Sequence, residues 1–128
     1  MQIEEVIKYW LTSAEDDQRV AEHLFEKGDY AYTLFFGHLY LEKLLKAMVV
    51  KVTNTQAPAI HNLRVLSEMA KLPVSDEQLE FLIKVQDYNL RARYPDFKFD
   101  FKKRCTKEFT KKELERIIEF GKWLKEKI

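Results

Sequence analysis

Two long helical patterns open the chain and predict an antiparallel pair. Apolar residues recur at spacings of three and four from about Ile3 to Lys27, which predicts one long amphipathic helix. Gly28 and Asp29 end this helix and begin the next, so we expect the two helices to pack as antiparallel neighbours. The second helix, from about Tyr30 to Val52, is apolar around most of its circumference and therefore belongs at the centre of the fold.

Two shorter helices are predicted next. A third helix begins near His61-Asn62 and stops before Pro73. Ser75 and Gln78 form a capping box for a fourth helix. The fourth helix ends at Arg93-Tyr94 because the proline that follows disfavours a helical conformation in the residue before it. Its predicted inward stripe consists of Leu79, Leu82, Ile83, Gln86 and Leu90.

The pattern changes in the last third of the chain. Phenylalanines alternate with charged residues from Asp96 to Cys105, a period of two that predicts an extended segment laid across the bundle. Thr110 with Glu113 then resembles a capping box for a last helix. These elements predict a single all-α domain over residues 1–128, an up-and-down bundle of about five helices with the long first pair as its spine.

Composition narrows the possible functions. A net charge of +1 argues against strong non-specific binding of nucleic acid, because any basic surface has to be local. The single cysteine, Cys105, excludes an internal disulfide and a multi-cysteine metal site, and the three histidines are scattered along the chain. We therefore expect no metal and no cofactor. The acidic start of the chain does not resemble a signal peptide, and no apolar run reaches about 18 residues, so we expect a cytoplasmic protein without membrane contact.

A polar row on the apolar second helix is the first candidate site. His38, Glu42 and Lys46 are four residues apart and therefore lie on one face of the helix. Asp17 occupies an apolar seam of the first helix, so a groove shared by the two helices would bring it to the same row. One alternative is a solvent-exposed stripe in which Glu42 and Lys46 form an ordinary pair that stabilises the helix. The other is a buried network that only fixes the helix register.

Two further groups are candidates for ligand binding. Arg91, Arg93 and Tyr94 gather at a helix end, where arginine suits phosphate and tyrosine offers a stacking face for a base. The structural alternative is that the two arginines interact favourably with the helix dipole and that Tyr94 is a packing residue. His61 is the other candidate, and with Asn62 it also reads as an ordinary helix N-terminus.

These motifs, in this order, resemble the HEPN domain (higher eukaryotes and prokaryotes nucleotide-binding). The matching positions are Ala14 and Asp17, His38, Glu42-Lys43, Lys46-Ala47, His61 with Leu63, and Arg93-Tyr94-Pro95-Asp96. The resemblance covers about residues 5 to 128. It implies a helical bundle, usually a homodimer, similar to the helical domain of kanamycin nucleotidyltransferase. It also implies a nucleotidyltransferase partner, as in two-component or toxin–antitoxin pairs.

The resemblance leaves three functions open. The leading expectation is a nucleotide-binding or anion-binding module whose site residues are Asp17, His38, Glu42, Lys46, His61, Arg91, Arg93 and Tyr94. Other HEPN proteins are metal-independent ribonucleases that use an Arg-x(4–6)-His motif. No histidine follows His61 in this chain, so a ribonuclease would need an atypical site, and no catalytic residue is assigned. The third possibility is a structural or interaction protein without a ligand.

Overall fold

Six helices make up the part of the chain that the computed structural model describes, residues 2–96 and 99–128. No strand occurs in these residues, which confirms the predicted all-α class. The helices are α1 (Ile3–Glu26), α2 (Tyr30–Thr53), α3 (Leu63–Met69), α4 (Asp76–Arg93), α5 (Asp100–Arg104) and α6 (Lys107–Lys125). None of the helices in the described ranges is both long enough and apolar enough to span a bilayer.

The central position predicted for α2 is confirmed. It packs against each of the other five helices, most extensively against α1, and buries residues around most of its circumference. The tight turn into α2 places Gly28 at φ +82°, a left-handed conformation that glycine adopts without strain. In contrast, α1 has one buried seam, Ala14, Asp17 and Ala21, as its spacing predicted.

The face of α4 that enters the core is partly different from the predicted stripe. Ile83 and Leu90 are 49% and 57% exposed, whereas Phe81, Val85 and Tyr88 are buried. The sequence of α4 carries apolar residues at helical spacing on both faces, and the face with larger rings is the one buried. Its rings pack on α6 and α5, with centroids 6.0 Å apart for Phe81–Phe120 and 5.6 Å for Tyr88–Phe101.

The prediction of an extended segment after Pro95 is wrong for residues 100–104, which form α5. Phe97 and Lys98, also part of that prediction, lie outside the described residues. The carboxylate of Asp96 accepts hydrogen bonds from the backbone N–H groups of Asp100 at 2.6 Å and Phe101 at 3.3 Å. This side-chain cap stabilises the start of the five-residue helix α5. Burial of Phe101 beside Tyr88 holds the short helix against the bundle.

The last helix begins earlier than predicted. The N-cap of α6 is Thr106, whose hydroxyl accepts from the N–H of Phe109 at 3.2 Å. Thr110 and Glu113 are therefore not its capping box. Both lie within the helix and are buried, and Glu113 accepts a 2.6 Å hydrogen bond from the hydroxyl of Tyr88. The capping box of α4, Ser75 with Gln78, is confirmed.

Candidate functional site

The polar row of α2 is buried. His38, Glu42 and Lys46 lie on one face of the helix, and each side chain is shielded from solvent by the surrounding elements. This placement excludes the solvated stripe as an explanation of the spacing. A buried charged group needs a partner because taking it out of water costs several kcal/mol, on the order of the whole stability of a domain.

Glu42 supplies that partner and is the centre of the cluster. Its Oε2 accepts from Lys46 Nζ at 3.1 Å, and both carboxylate oxygens lie 3.0 Å from Nδ1 of His61. His38 Nε2 is 3.6 Å from Oε1, too long for a hydrogen bond. We call Glu42, Lys46, His61 and His38 the Glu42 cluster. One carboxylate thus gathers three basic side chains from two elements.

His61 reaches Glu42 from the connection between α2 and α3. Asn62, next in the chain, is the N-cap of α3 and accepts from the N–H of Val65 at 3.0 Å. The N–H of Leu63 donates to Gln86 of α4 at 2.8 Å, which ties this connection to a third helix. His61 is therefore held at both sides, yet its side chain remains 67% exposed. The cap by Asn62 confirms the predicted start of α3. Asn62 therefore caps this helix, whereas His61 contacts Glu42.

His38 is the most enclosed member of the Glu42 cluster. Burial lowers its pKa from 6.5 to about 4, although the nearby Glu42 carboxylate and the backbone of His61 favour the protonated form. The imidazole is therefore neutral at pH 7. Within the described residues, neither ring nitrogen makes a hydrogen bond of ordinary geometry.

Arg93 approaches the Glu42 cluster from the end of α4. Its Cζ lies 5.7 Å from the ring centroid of Phe35, and that ring stacks on His38 with centroids 6.4 Å apart. The positive charge of Arg93 is close enough to contribute to the lowered pKa of His38. Its Nε donates to the carbonyl of Asn89 at 3.0 Å, which holds the guanidinium along α4.

The structure pairs Asp17 with Lys43 rather than with the polar row. Lys43 Nζ is 2.7 Å from Asp17 Oδ2, and Lys43 follows Glu42 on a different side of α2. The seam of α1 meets that side because one residue turns a helix by about 100°. At the row itself α1 contributes Trp10, whose ring centroid lies 5.3 Å from Lys46 Nζ.

The predicted arginine site lies at a cavity of about 410 Å³. The turn between α1 and α2, the end of α4 and the α5 region line it. Its lining consists of residues 28–32, 91–93, 95 and 96, with Phe99, Phe101, Lys102 and Cys105. Arg91 and Arg93, two of the candidate residues from the sequence, both belong to this lining. Tyr94 does not belong to it; its ring is exposed and stacks under Arg93 at 5.4 Å.

The charges of the cavity leave two cations available. Arg91 pairs with Asp87 one turn earlier, and this partner raises its pKa further. Among the residues that the structure describes, Arg93 and Lys102 form no ion pair. The carboxylate of Asp96 is committed to the start of α5. Asp29 is the other carboxylate of the lining, and Arg93 and Lys102 are the cations that remain open to an incoming anion.

Several residues of the cavity were absent from the sequence-based site. Tyr30 and Tyr32 come from the first turn of α2, and Phe99 and Lys102 come from the α5 region. The alternation of aromatic and basic residues after Pro95 was a usable signal for the second pair. Nothing in the sequence marked Tyr30 and Tyr32 as site residues, because only the fold brings the α1–α2 turn next to the end of α4.

A second buried carboxylate, Glu113, was predicted from the sequence only as part of a capping box. Glu113 of α6 accepts from Tyr88 at 2.6 Å, and Lys84 Nζ lies 2.7 Å from the same oxygen. Burial alone would raise the pKa of Glu113, but the hydrogen bonds from Lys84 and Tyr88 outweigh it and lower that pKa. This carboxylate is fully partnered and joins α4 to α6, so we assign it a structural role.

The described residues contain no group of three or more histidine, cysteine or acidic side chains that could hold a metal ion.

No curated protein sequence matches the chain. Among solved structures, the crystal structure of TT1696 from Thermus thermophilus is similar, with a TM-score of 0.76 and 23% sequence identity. The similarity covers 95% of this chain and 98% of that one, and it shows a shared fold.

The family comparison agrees with the order of motifs and with the helical architecture. The HEPN domain matches residues 7–127, which is nearly the whole chain. The chain therefore belongs to the HEPN domain family.

Proposed function

We propose that this protein is a binding module for a nucleotide or a similar anionic ligand, and that the ligand occupies the cavity lined by Arg93 and Lys102. The observation that carries the proposal is the combination, in one surface cavity, of aromatic rings with two cations that pair with no carboxylate in the described part of the chain. The volume of about 410 Å³ lies within the roughly 300–1,000 Å³ typical of small-molecule sites.

The lining chemistry suits the two halves of a nucleotide. A guanidinium binds phosphate oxygens through two parallel N–H groups, and a lysine ammonium adds a point charge. The rings of Tyr30, Tyr32 and Phe99 offer apolar surface on which a base can stack. Asp29 at the start of α2 makes no side-chain cap, so its carboxylate is available to accept from a ribose hydroxyl or a base amino group.

Calorimetric titration tests the proposal, with adenosine 5′-monophosphate, adenosine and inorganic phosphate as probes. Arg93→Ala should weaken binding of the monophosphate about tenfold or more, because a charge-assisted hydrogen bond contributes about 1.5–3 kcal/mol. Binding of adenosine should change little. Arg64→Ala is the matched control, since Arg64 is exposed on α3 and pairs only with Glu68 within the described residues. Equal affinities of the two variants for the monophosphate would contradict the assignment.

We also propose that the module is a homodimer that acts with a nucleotidyltransferase, as a two-component or toxin–antitoxin pair. Ile83, Leu90 and Tyr94 support the dimer because they leave an apolar stripe exposed along α4. Light scattering should give twice the chain mass for wild type and a lower mass for Leu90→Glu. The partner is tested by asking whether a nucleotidyltransferase is encoded beside this chain and copurifies with it.

The second candidate function is metal-independent cleavage of RNA. The observation that favours it is that Arg93 lies over the Phe35 ring that stacks on His38, so two histidines of the Glu42 cluster lie near the end of α4 although the usual motif is missing. Incubation of total RNA in chelator tests it, with wild type compared to Arg93→Ala. Cleavage that is lost in the variant supports this function, and intact RNA in both samples excludes it.

A further inference from the structure

A second surface cavity lies at the start of α4, whereas the proposed nucleotide site lies at the end of that helix. Its volume is about 260 Å³, and residues from the first two turns of α4 and from the second half of α6 line it. This volume lies below the roughly 300–1,000 Å³ of sites for drug-sized molecules, so the cavity suits a small ligand. None of its residues belongs to the Glu42 cluster or to the proposed nucleotide site.

Three aromatic rings form the apolar wall of this cavity. Phe81 of α4 lies against Phe120 of α6 with ring centroids 6.0 Å apart, and Trp123 meets Phe120 edge-on with centroids 5.4 Å apart. Phe81 and Phe120 are buried, whereas Trp123 is only partly buried. The face of an aromatic ring carries negative potential and attracts cations. Trp123 therefore gives the cavity a ring on which a cation can bind.

Two cations of the chain itself already lie on these rings. The guanidinium carbon (Cζ) of Arg116 is 4.3 Å from the ring centroid of Phe81, and Nζ of Lys127 is 4.8 Å from the ring centroid of Trp123. Both distances are within the roughly 6 Å of a cation–π contact. Arg116 also lies 3.7 Å from the buried carboxylate of Glu113, whereas Lys127 forms no ion pair within the described residues.

Two carboxylates accompany the aromatic wall, one on each helix. Glu119 comes one turn before Trp123 on α6, and Glu77 comes one turn before Phe81 on α4, so each carboxylate shares a helix face with a ring. Neither carboxylate forms an ion pair in the part of the chain that the structure describes. Glu77 also suits the first turn of α4, where the helix dipole favours negative charge, but Glu119 lies in the second half of α6 without that support. Aromatic faces and negative charge thus meet in one cavity.

We propose that this cavity binds a small aliphatic diamine, a compound with two ammonium groups joined by a short methylene chain. One ammonium takes the place of Lys127 over the ring of Trp123, beside the carboxylate of Glu119. The other ammonium pairs with Glu77 on α4, and the methylene chain covers the apolar wall. The site is independent of the proposed nucleotide site, because the two cavities share no lining residue and take ligands of opposite charge.

NMR titration with putrescine, a short aliphatic diamine, tests the inference, with butylamine as the probe that carries a single ammonium. The chain has two tryptophans, so their indole N–H signals report on two separate places. Putrescine should shift the signal of Trp123 and leave that of Trp10 on α1 unchanged. Butylamine should bind about two- to fivefold more weakly, because it forms one ion pair fewer at an accessible site.

Glu119→Gln removes one of the two proposed ion pairs and should weaken binding of putrescine about two- to fivefold. Glu115→Gln is the matched control, because Glu115 is exposed on the same helix and does not line the cavity. It should bind putrescine as the wild type does.

Lys127→Ala separates binding on the ring from a general attraction of cations to an acidic surface. Removal of the resident ammonium uncovers the Trp123 ring, so putrescine should bind about two- to fivefold more tightly. Lys122→Ala is the matched control, because Lys122 is exposed on α6 and its removal changes the net charge equally. It should leave the affinity close to that of the wild type.

Each of three results would overturn the inference. They are an unchanged Trp123 signal at every putrescine concentration, equal affinities of Glu119→Gln and Glu115→Gln, and equal affinities of Lys127→Ala and Lys122→Ala. Butylamine that binds as tightly as putrescine would overturn the assignment to a diamine. None of these outcomes affects the nucleotide site, which is tested with an anionic ligand.

Discussion

Removal of the Glu42 carboxylate is the perturbation that most directly tests the energetics of the Glu42 cluster. Glu42→Ala removes the acceptor that lies 3.1 Å from Lys46 Nζ and 3.0 Å from His61 Nδ1. His61 is mostly exposed and can hydrogen-bond to water instead, so loss of its contact with Glu42 costs little stability. Lys46 is buried, and its ammonium is left beside the Trp10 ring without a counter-ion.

The stability cost follows from that unpaired ammonium. Breaking a buried ion pair by deleting one partner typically costs about 3–5 kcal/mol, because the other charge stays out of water uncompensated. A domain of this size is stable by about 5–15 kcal/mol in total. We therefore expect Glu42→Ala to remove a large part of the unfolding free energy and to lower the melting temperature by about 10–20 °C.

Urea denaturation followed by circular dichroism measures this free energy at pH 7. Glu68→Ala is the matched control, because Glu68 forms an exposed pair with Arg64 whose removal should cost less than about 1 kcal/mol. The double variant Glu42→Leu/Lys46→Met replaces both charges by apolar side chains and should recover most of the loss. A Glu42→Ala variant no less stable than Glu68→Ala would refute the account of the Glu42 cluster.

Two further predictions concern buried groups on α2. The pKa of His38 falls from 6.5 in the unfolded chain to about 4 in the native protein, so between these values only the unfolded chain binds the proton. Stability should therefore fall as the pH is lowered across this window, by about 3 kcal/mol, and denaturation at pH 7 and pH 4 should show a smaller loss for His38→Gln. An equal loss in both proteins would contradict this origin. Gly121→Ala would place a Cβ 2.1 Å from the hydroxyl of the buried Tyr40 ring, so it should cost about 1–3 kcal/mol or more in the same assay. Unchanged stability would show that the ring moves freely.

Much of the architecture could be predicted because its signals are local. The periodicity of α1 and α2 and the capping box at Ser75 depend on residues within one or two turns of each other. The polar row of α2 was visible for the same reason, since a spacing of four defines one face of a helix. The orientation of α4 could not be predicted from its sequence, because that sequence has two apolar stripes. Only packing against Phe101 and Phe120 decides which stripe is buried.

The candidate site was predicted only in part because its contacts are distant in sequence. His61 meets Glu42 across 19 positions, and the path between them leaves α2 at Thr53 and continues through an irregular connection without periodicity. The short helix α5 depends on a cap by Asp96, which lies four residues before its first helical residue. Tyr30 and Tyr32 join Lys102 at the cavity only after three separate segments have folded together.

Chemical-shift mapping by NMR tests the central claim most directly. Titration of the isotope-labelled protein with adenosine 5′-monophosphate should shift the amides of residues 29–32, of Ala92 and Arg93, and of Phe99, Phe101 and Lys102, which line the cavity. The Arg93→Ala variant should lose these shifts at the same ligand concentration. Shifts confined to the other end of the bundle, around Phe81 and Trp123, or no shifts at any concentration, would contradict a nucleotide site in this cavity.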